Sequence, residues 1–202
     1  MLLKELKNAG GCVFMGNYDF TDLTKCFETE RLILRVLEDS DIDFIFRQFS
    51  DLDMCKYFNV PPCESIEEAQ DIINCYKNPG KEPQHRWLMV KKSDNKPVGT
   101  LGYHCYDSKF NKVEIGYDVW KEFWSQGYAS EALPVLLSLC FDFLNVNRVY
   151  ATLDPENVGS ERLLVKYGFS FEGILRESEK VGDRYIDIMY MSLLRREFNR
   201  NH

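Results

Sequence analysis

The chain has 202 residues, the size of one domain or of one domain with an extension. Hydrophobic residues at 45% and charged residues at 28% fit a soluble globular protein with a core of its own. With 32 acidic against 25 basic residues the net charge is -7, which argues against a nucleic-acid partner and would attract cationic amines at long range.

Residues 1–28 show no sustained period and contain Gly10-Gly11, so they read as an N-terminal extension. Leu32, Leu34 and Val36 alternate with Arg31, Ile33 and Arg35, the pattern of a strand. Ser40 precedes Ile42, Ile45, Phe46 and Phe49, which share one helical face. A second helix is expected from Ser65, with Glu68 completing a capping box and Ala69, Ile72, Ile73 and Tyr76 on one side. A loop follows at 78–83. Strands are expected over 86–92 and 98–106 around a turn at 93–96, and again over 112–119.

Tyr128 to Leu144 has the pattern of an amphipathic helix, with Leu133, Leu136, Leu137, Cys140 and Leu144 forming a stripe suited to core packing. Arg148 to Leu153 reads as a strand, then a helix runs to Tyr167 and ends at Gly168. A hairpin closes the chain, Phe169 to Glu179 and Tyr185 to Leu194 about Gly182-Asp183, before a short tail at 199–202. Strands and helices mixed in this order imply an α/β sandwich around one central sheet.

The seven cysteines (Cys12, Cys26, Cys55, Cys63, Cys75, Cys105 and Cys140) are odd in number and irregular in spacing, as in a reduced cytoplasmic protein. Of the histidines, His85, His104 and His202, no two are at metal-ligand spacing, so no metal is expected. His104 and Cys105 are adjacent strand residues and should point to opposite faces. The N-terminus lacks a signal core, and the most apolar helix is broken by Asp142 and too short to span, so no membrane association is expected.

The stretch Phe123 to Ala132, Phe-Trp-Ser-Gln-Gly-Tyr-Ala-Ser-Glu-Ala, lies between a strand and a helix. A glycine loop opening a helix offers unpaired N–H groups at the positive end of its dipole, a seat for an anion. There is no lysine-containing phosphate loop and no Gly-x-Gly-x-x-Gly, so a diphosphate held mainly by main-chain amides remains. Gly127 alone could equally be a turn glycine.

Five pieces in order resemble the GNAT superfamily of acyl-CoA-dependent N-acetyltransferases, in its RimJ/RimL-like branch of ribosomal-protein N-terminal acetyltransferases. They are Glu30–Arg35, Glu114–Tyr117, the Phe123–Ala132 stretch with Trp124 at the first position of the coenzyme signature, Asn157-x-x-Ser160 and Lys166–Phe169. The resemblance covers about 29–198 and implies a GNAT-type fold, acetyl-CoA as cosubstrate and a primary amine as acceptor. The branch favours a protein N-terminus. A polyamine, amino acid or aminoglycoside is the alternative, and a non-catalytic acyl-CoA sensor the rival from another class. A homodimer is common in the family.

By the same resemblance, Tyr117, Asp118 and Val119 would lie along the pantetheine arm, and Ser125, Gln126, Gly127, Tyr128, Ala129 and Ser130 would take the pyrophosphate. Asn157 and Ser160 would border the thiol, although Asn157 is also an ordinary helix cap. Leu164 occupies the place of the usual tyrosine acid, and Tyr167 should point elsewhere. Ser160 is then the branch's acid. Glu114 is the first choice of base, against the plain reading of an outward strand glutamate. Glu179 is second, Asp187 and Glu172 are weaker, and His85 and His104 are more ordinarily structural.

Overall fold

The computed structural model describes residues 23–58, 60–77 and 84–198. The expected loop at 78–83, the tail at 199–202, Cys12, His202 and most of the N-terminal segment lie outside the described residues. Strand β1 (Phe27–Glu28) pairs antiparallel with β2 (Leu32–Val36), so residues of the segment read as an extension already join the sheet. A 3-10 turn over Asp39–Asp41 leads into α1 (Ile42–Ser50). The helix start anticipated at Ser40 is organised instead by Asp41, whose carboxylate accepts from Glu38 N–H at 2.8 Å and from Arg35 at 2.7 Å.

Helix α2 (Leu52–Cys55) is one turn capped by the Asp51 carboxylate, and α3 (Ile66–Tyr76) is capped by Ser65, which accepts from Glu68 N–H at 3.2 Å. The capping box there is altered: the Glu68 carboxylate reaches one residue further back, to Glu64 N–H at 2.9 Å. Strands β3 (His85–Lys91), β4 (Pro97–Asp107) and β5 (Lys112–Val119) form an antiparallel meander. Helix α4 (Tyr128–Ser138) and a π turn (Leu139–Phe143) cross to β6 (Arg148–Leu153), then come α5 (Val158–Lys166), the hairpin β7 (Ser170–Val181) and β8 (Arg184–Leu194), and α6 (Arg195–Phe198).

Among the described residues eight strands make one mixed sheet in the order β1-β2-β3-β4-β5-β6-β8-β7. Both faces are covered, as the alternation along β3 shows. Trp87 and Met89 enter the core under α4, while Leu88 and Val90 enter the core under α1 and α3. The expected α/β fold is therefore present, and no helix among the described residues is long and apolar enough to cross a membrane.

One pairing departs from regularity. β5 and β6 are parallel neighbours, yet they pair only at Lys112↔Arg148, Val113↔Val149 and Glu114↔Tyr150. Past Glu114, β5 stays bonded to β4 as far as Val119 and β6 stays bonded to β8 as far as Leu153. The two strands thus splay, opening a gap in the middle of the sheet.

The long helix anticipated over 128–144 is interrupted twice. Pro134 has no N–H, so the Ser130 carbonyl four residues back loses its helical donor. The Tyr167 hydroxyl replaces it, donating to Ser130 O. The π turn then leaves the Phe141 and Val146 carbonyls to the Arg195 guanidinium, the second at 2.9 Å.

His85 is fully buried, edge-on to Trp87 at 4.3 Å, and its ring nitrogens find no partner among the described residues. Burial pushes its pKa down from 6.5 to about 4, so the folded chain holds it neutral where the unfolded chain takes a proton. Stability should therefore fall as pH drops from 6.5 towards 4, by about 1.4 kcal/mol per pH unit from this group. Urea unfolding of wild type and His85→Phe between pH 7 and 4 checks this. The gap between them should shift against wild type with acid, and parallel losses would show that His85 is not the titrating group.

Candidate active site

The glycine loop sits at the mouth of the gap. Ser125 (φ 60) and Gly127 (φ 83) both adopt left-handed backbone, which glycine tolerates and serine does not favour. A Cβ on Gly127 would stand 3.4 Å from Arg31 Nη2. The first helical bond of α4 runs from Glu131 N–H to Gly127 O at 2.9 Å, leaving the amides of Tyr128, Ala129 and Ser130 outside the ladder. These three amides are the ones the expected anion seat would use.

Its scaffold was not legible in the sequence. Glu131 is buried, and its carboxylate accepts from Arg31 N–H and Arg31 Nε, both at 2.6 Å, and from the Thr29 hydroxyl. Burial raises the Glu131 pKa, but these hydrogen bonds outweigh it and the net shift is downward. Arg31 also donates to Gln126 O at 3.1 Å and lies over the Tyr128 ring at 4.6 Å. An ion pair across 100 residues therefore pins the first turn of α4 to the residue that precedes β2.

A cleft of about 510 Å³ runs from this loop along the splayed end of β5 to α5. Tyr117, Asp118, Val119, Ser125, Gly127, Tyr128, Ala129, Ser130, Asn157 and Ser160 line it. Gln126 does not: its side chain turns away to Glu122 O at 2.9 Å. The Asp118 carboxylate points into the sheet, to Thr100 N–H at 3.0 Å, Thr100 Oγ1 at 2.7 Å, Arg86 and Gln48. Val119 O is held by the Trp124 indole at 2.6 Å. Asn157 caps α5, accepting from Ser160 N–H at 3.1 Å, and borders the cleft as well.

A second cleft of about 820 Å³ opens on the other side of the gap and is lined by Glu68, Asp71, Glu114 and Glu179 with Phe49, Tyr57, Phe58 and Tyr76. The two clefts share Tyr57, Phe58, Tyr117, Asp118, Asn157 and Ser160. At that junction Tyr117 OH and Ser160 Oγ are 2.7 Å apart. Burial raises the Tyr117 pKa above its usual value, so the phenol stays protonated, a hydrogen-bond donor beside the serine. The family resemblance placed Tyr117 only along the pantetheine arm; the pairing of its phenol with Ser160 was not anticipated from the sequence. Leu164 is fully buried, and Tyr167 points to Ser130 as already described.

Glu114 faces the second cleft, taking a hydrogen bond from Thr152 Oγ1 with His104 Nε2 at 3.6 Å. Burial raises its pKa, but His104 and Thr152 outweigh this and hold it below the ordinary carboxylate value. Glu172 is removed from consideration, since a two-pronged contact from Arg148 pulls its pKa to about 2 and Ser192 binds it at 2.7 Å. Asp187 is engaged with Glu177 N–H at 2.8 Å, and His85 is sealed in the core. The expectation that His104 and Cys105 face apart is wrong. Cys105 has φ 52 within a β4–β5 register shift, so the chain flips and both side chains line the second cleft.

The acetyltransferase (GNAT) domain family matches residues 31–170, and the chain belongs to it. It is 38% identical over 171 residues to uncharacterized N-acetyltransferase p20 of Bacillus licheniformis, covering 84% of this chain and 96% of that protein. It is 33% identical over 181 residues, 86% of this chain and 96% of the relative, to YdaF of Bacillus subtilis, named provisionally as a ribosomal N-acetyltransferase. The solved spermidine N-acetyltransferase of Vibrio cholerae, in complex with CoA and spermine, superposes with a TM-score of 0.74 at 24% identity over 84% of this chain and 98% of that one. The chain is thus an acetyl-CoA-dependent N-acetyltransferase.

The first cleft fits that cosubstrate: a cradle whose left-handed Gly127 backbone disfavours a side chain, amides outside the helical ladder, and a phenol–hydroxyl pair at the far end. Coenzyme A should raise the melting temperature with no metal added, by mass action on the folded state. Gly127→Glu should abolish that rise by filling the cradle with a charge of the wrong sign. A normal thermal shift from the variant would remove the pyrophosphate from this loop.

Proposed function

We propose that the acceptor is a small molecule carrying more than one amine, taken into the second cleft as a cation. The observation that carries this is the ring of Glu68, Asp71, Glu114 and Glu179 around a cleft that meets the cofactor cleft at Tyr117 and Ser160. Arg86, on the same wall, is already neutralised by Asp118. Aromatic walls from Phe49, Tyr57, Phe58 and Tyr76 suit the methylene segments between amines. Branch resemblance in the sequence favours a protein N-terminus instead; the acidic lining tips the choice to the small amine.

In this reading the cosubstrate supplies an acetyl group activated as a thioester. Glu114, held ionised, attracts the ammonium and, through water and His104, passes its proton outward. The neutral amine attacks the acetyl carbon, and the new C–N bond replaces the C–S bond. The nitrogen releases its extra proton to Glu114 through water, and the departing sulfur takes a proton from the Tyr117–Ser160 pair, which solvent then reprotonates. Orientation of both reactants supplies most of the rate. A homodimer through the β7–β8 hairpin belongs to the same proposal, since Phe171, Ile174, Leu175 and Tyr185 are exposed there.

An acceptor panel tests the assignment. Spermidine or spermine should be acetylated with higher kcat/KM than any peptide with a free N-terminus, and the reverse order would restore the ribosomal-type reading. Glu68→Gln with Asp71→Asn should raise KM for the amine ~10-fold or more with kcat nearly kept, the mark of lost ground-state binding.

Mutating the proton donors gives a separate check. Ser160→Ala should lower kcat ~10–100-fold and leave coenzyme A affinity unchanged, and Tyr117→Phe should lower it at least as much. Full kcat in both variants would leave water as the only acid.

A further inference from the structure

We propose that His104, Cys105 and Glu114 form a binding site for a thiophilic divalent cation, Zn2+ above all, and that the bound ion closes the acceptor cleft. One ligand atom from each residue lies within 4.8 Å of the others, and the His104 Nε2 to Glu114 Oε1 distance is 3.6 Å. Zinc bonds of roughly 2.0–2.3 Å set tetrahedral ligand atoms roughly 3.3–3.8 Å apart, so only small side-chain movements are needed. Nothing in the spacing of the sequence suggests the set, because two adjacent strand residues reach one side only through the positive φ of Cys105.

Chemistry selects the ion. A thiolate with an imidazole and a single carboxylate suits zinc or cobalt, and is a poor set for magnesium or calcium, which take oxygens. Three protein ligands leave a fourth position for water, the arrangement of an open site. Cys105 is exposed and His104 half-exposed, so the ion can reach them from the cleft, and Glu179 on the same cleft adds to the attraction for cations. Thr152 already donates to the Glu114 carboxylate and so fixes its direction. Binding would release the Cys105 thiol proton to solvent, with no change in oxidation state.

Glu114 is also the carboxylate placed above to receive the ammonium. The metal site stands on its three donors alone, whereas closure of the cleft rests on the proposed acceptor reading. A zinc ion at Glu114 would replace the cationic amine with another cation and take the carboxylate out of proton transfer.

Titration of the reduced, full-length protein with Co2+, without amine, tests the site. One equivalent should give a thiolate-to-cobalt charge-transfer band, displaced by Zn2+. Cys105→Ser should abolish the band, while His104→Gln and Glu114→Gln should weaken binding at least 10-fold. Cys75→Ser, a thiol on the same cleft, should leave it intact. No band, or one that survives Cys105→Ser, overturns the site.

Initial rates at buffered free Zn2+ then test closure. The apparent KM for amine should rise with Zn2+ while that for acetyl-CoA holds, and chelation should reverse the effect. An intact cobalt band with inhibition indifferent to amine concentration would keep the site but overturn closure, and with it the acceptor reading of this cleft.

Discussion

The proposed site depends on two parallel strands that stop pairing halfway along. β5 and β6 share three residue pairs and then part, although each remains bonded to its outer neighbour. Unpaired backbone inside a protein is costly unless something else satisfies it. Here the opened edges become the walls of two clefts, one leading to the glycine loop and one to a group of carboxylates, and they meet at Tyr117 and Ser160. Because the outer pairings hold each strand in place, the gap is framed by the sheet itself and the junction is fixed before any ligand arrives.

Buried charge secures the parts that line the gap. Asp118 gathers Arg86, Thr100 and Gln48 beneath the β5 wall, and Glu131 gathers Arg31 and Thr29 beneath the loop. In each case a carboxylate nearly out of water is matched by donors from distant segments. Such a pair is costly to break from one side and adds specificity of placement more than net stability. The acids left facing the second cleft, Glu68, Asp71 and Glu179, lack this kind of burial and remain open to a ligand.

Much of this was legible in the chain. Strand alternation, the Ser65 cap, the Gly168 stop and the glycine loop before α4 are local signals whose physics acts within a few residues, and the fold followed from their order. What stayed hidden depends on long-range geometry. The Arg31–Glu131 pair joins segments 100 residues apart, and the Tyr167 hydroxyl answers a carbonyl orphaned by Pro134 on another helix. Tyr117 meets Ser160 only because α5 brings the serine to it. Cys105 defeats alternation because one residue with positive φ reverses the face of its side chain. Strand β1, at two residues, is too short for any period to reveal.

On the proposed reading, in which the amine occupies the second cleft, both reactants are bound together and acetyl passes directly between them. Cys105 in the second cleft offers the contrary route, a covalent acetyl-enzyme. The decisive measurement is incubation with acetyl-labelled acetyl-CoA in the absence of amine, followed by initial rates with both substrates varied. Direct transfer predicts no label on the protein and intersecting double-reciprocal lines. Stoichiometric acetyl on Cys105, formed at the rate of turnover and accompanied by parallel lines, would contradict it.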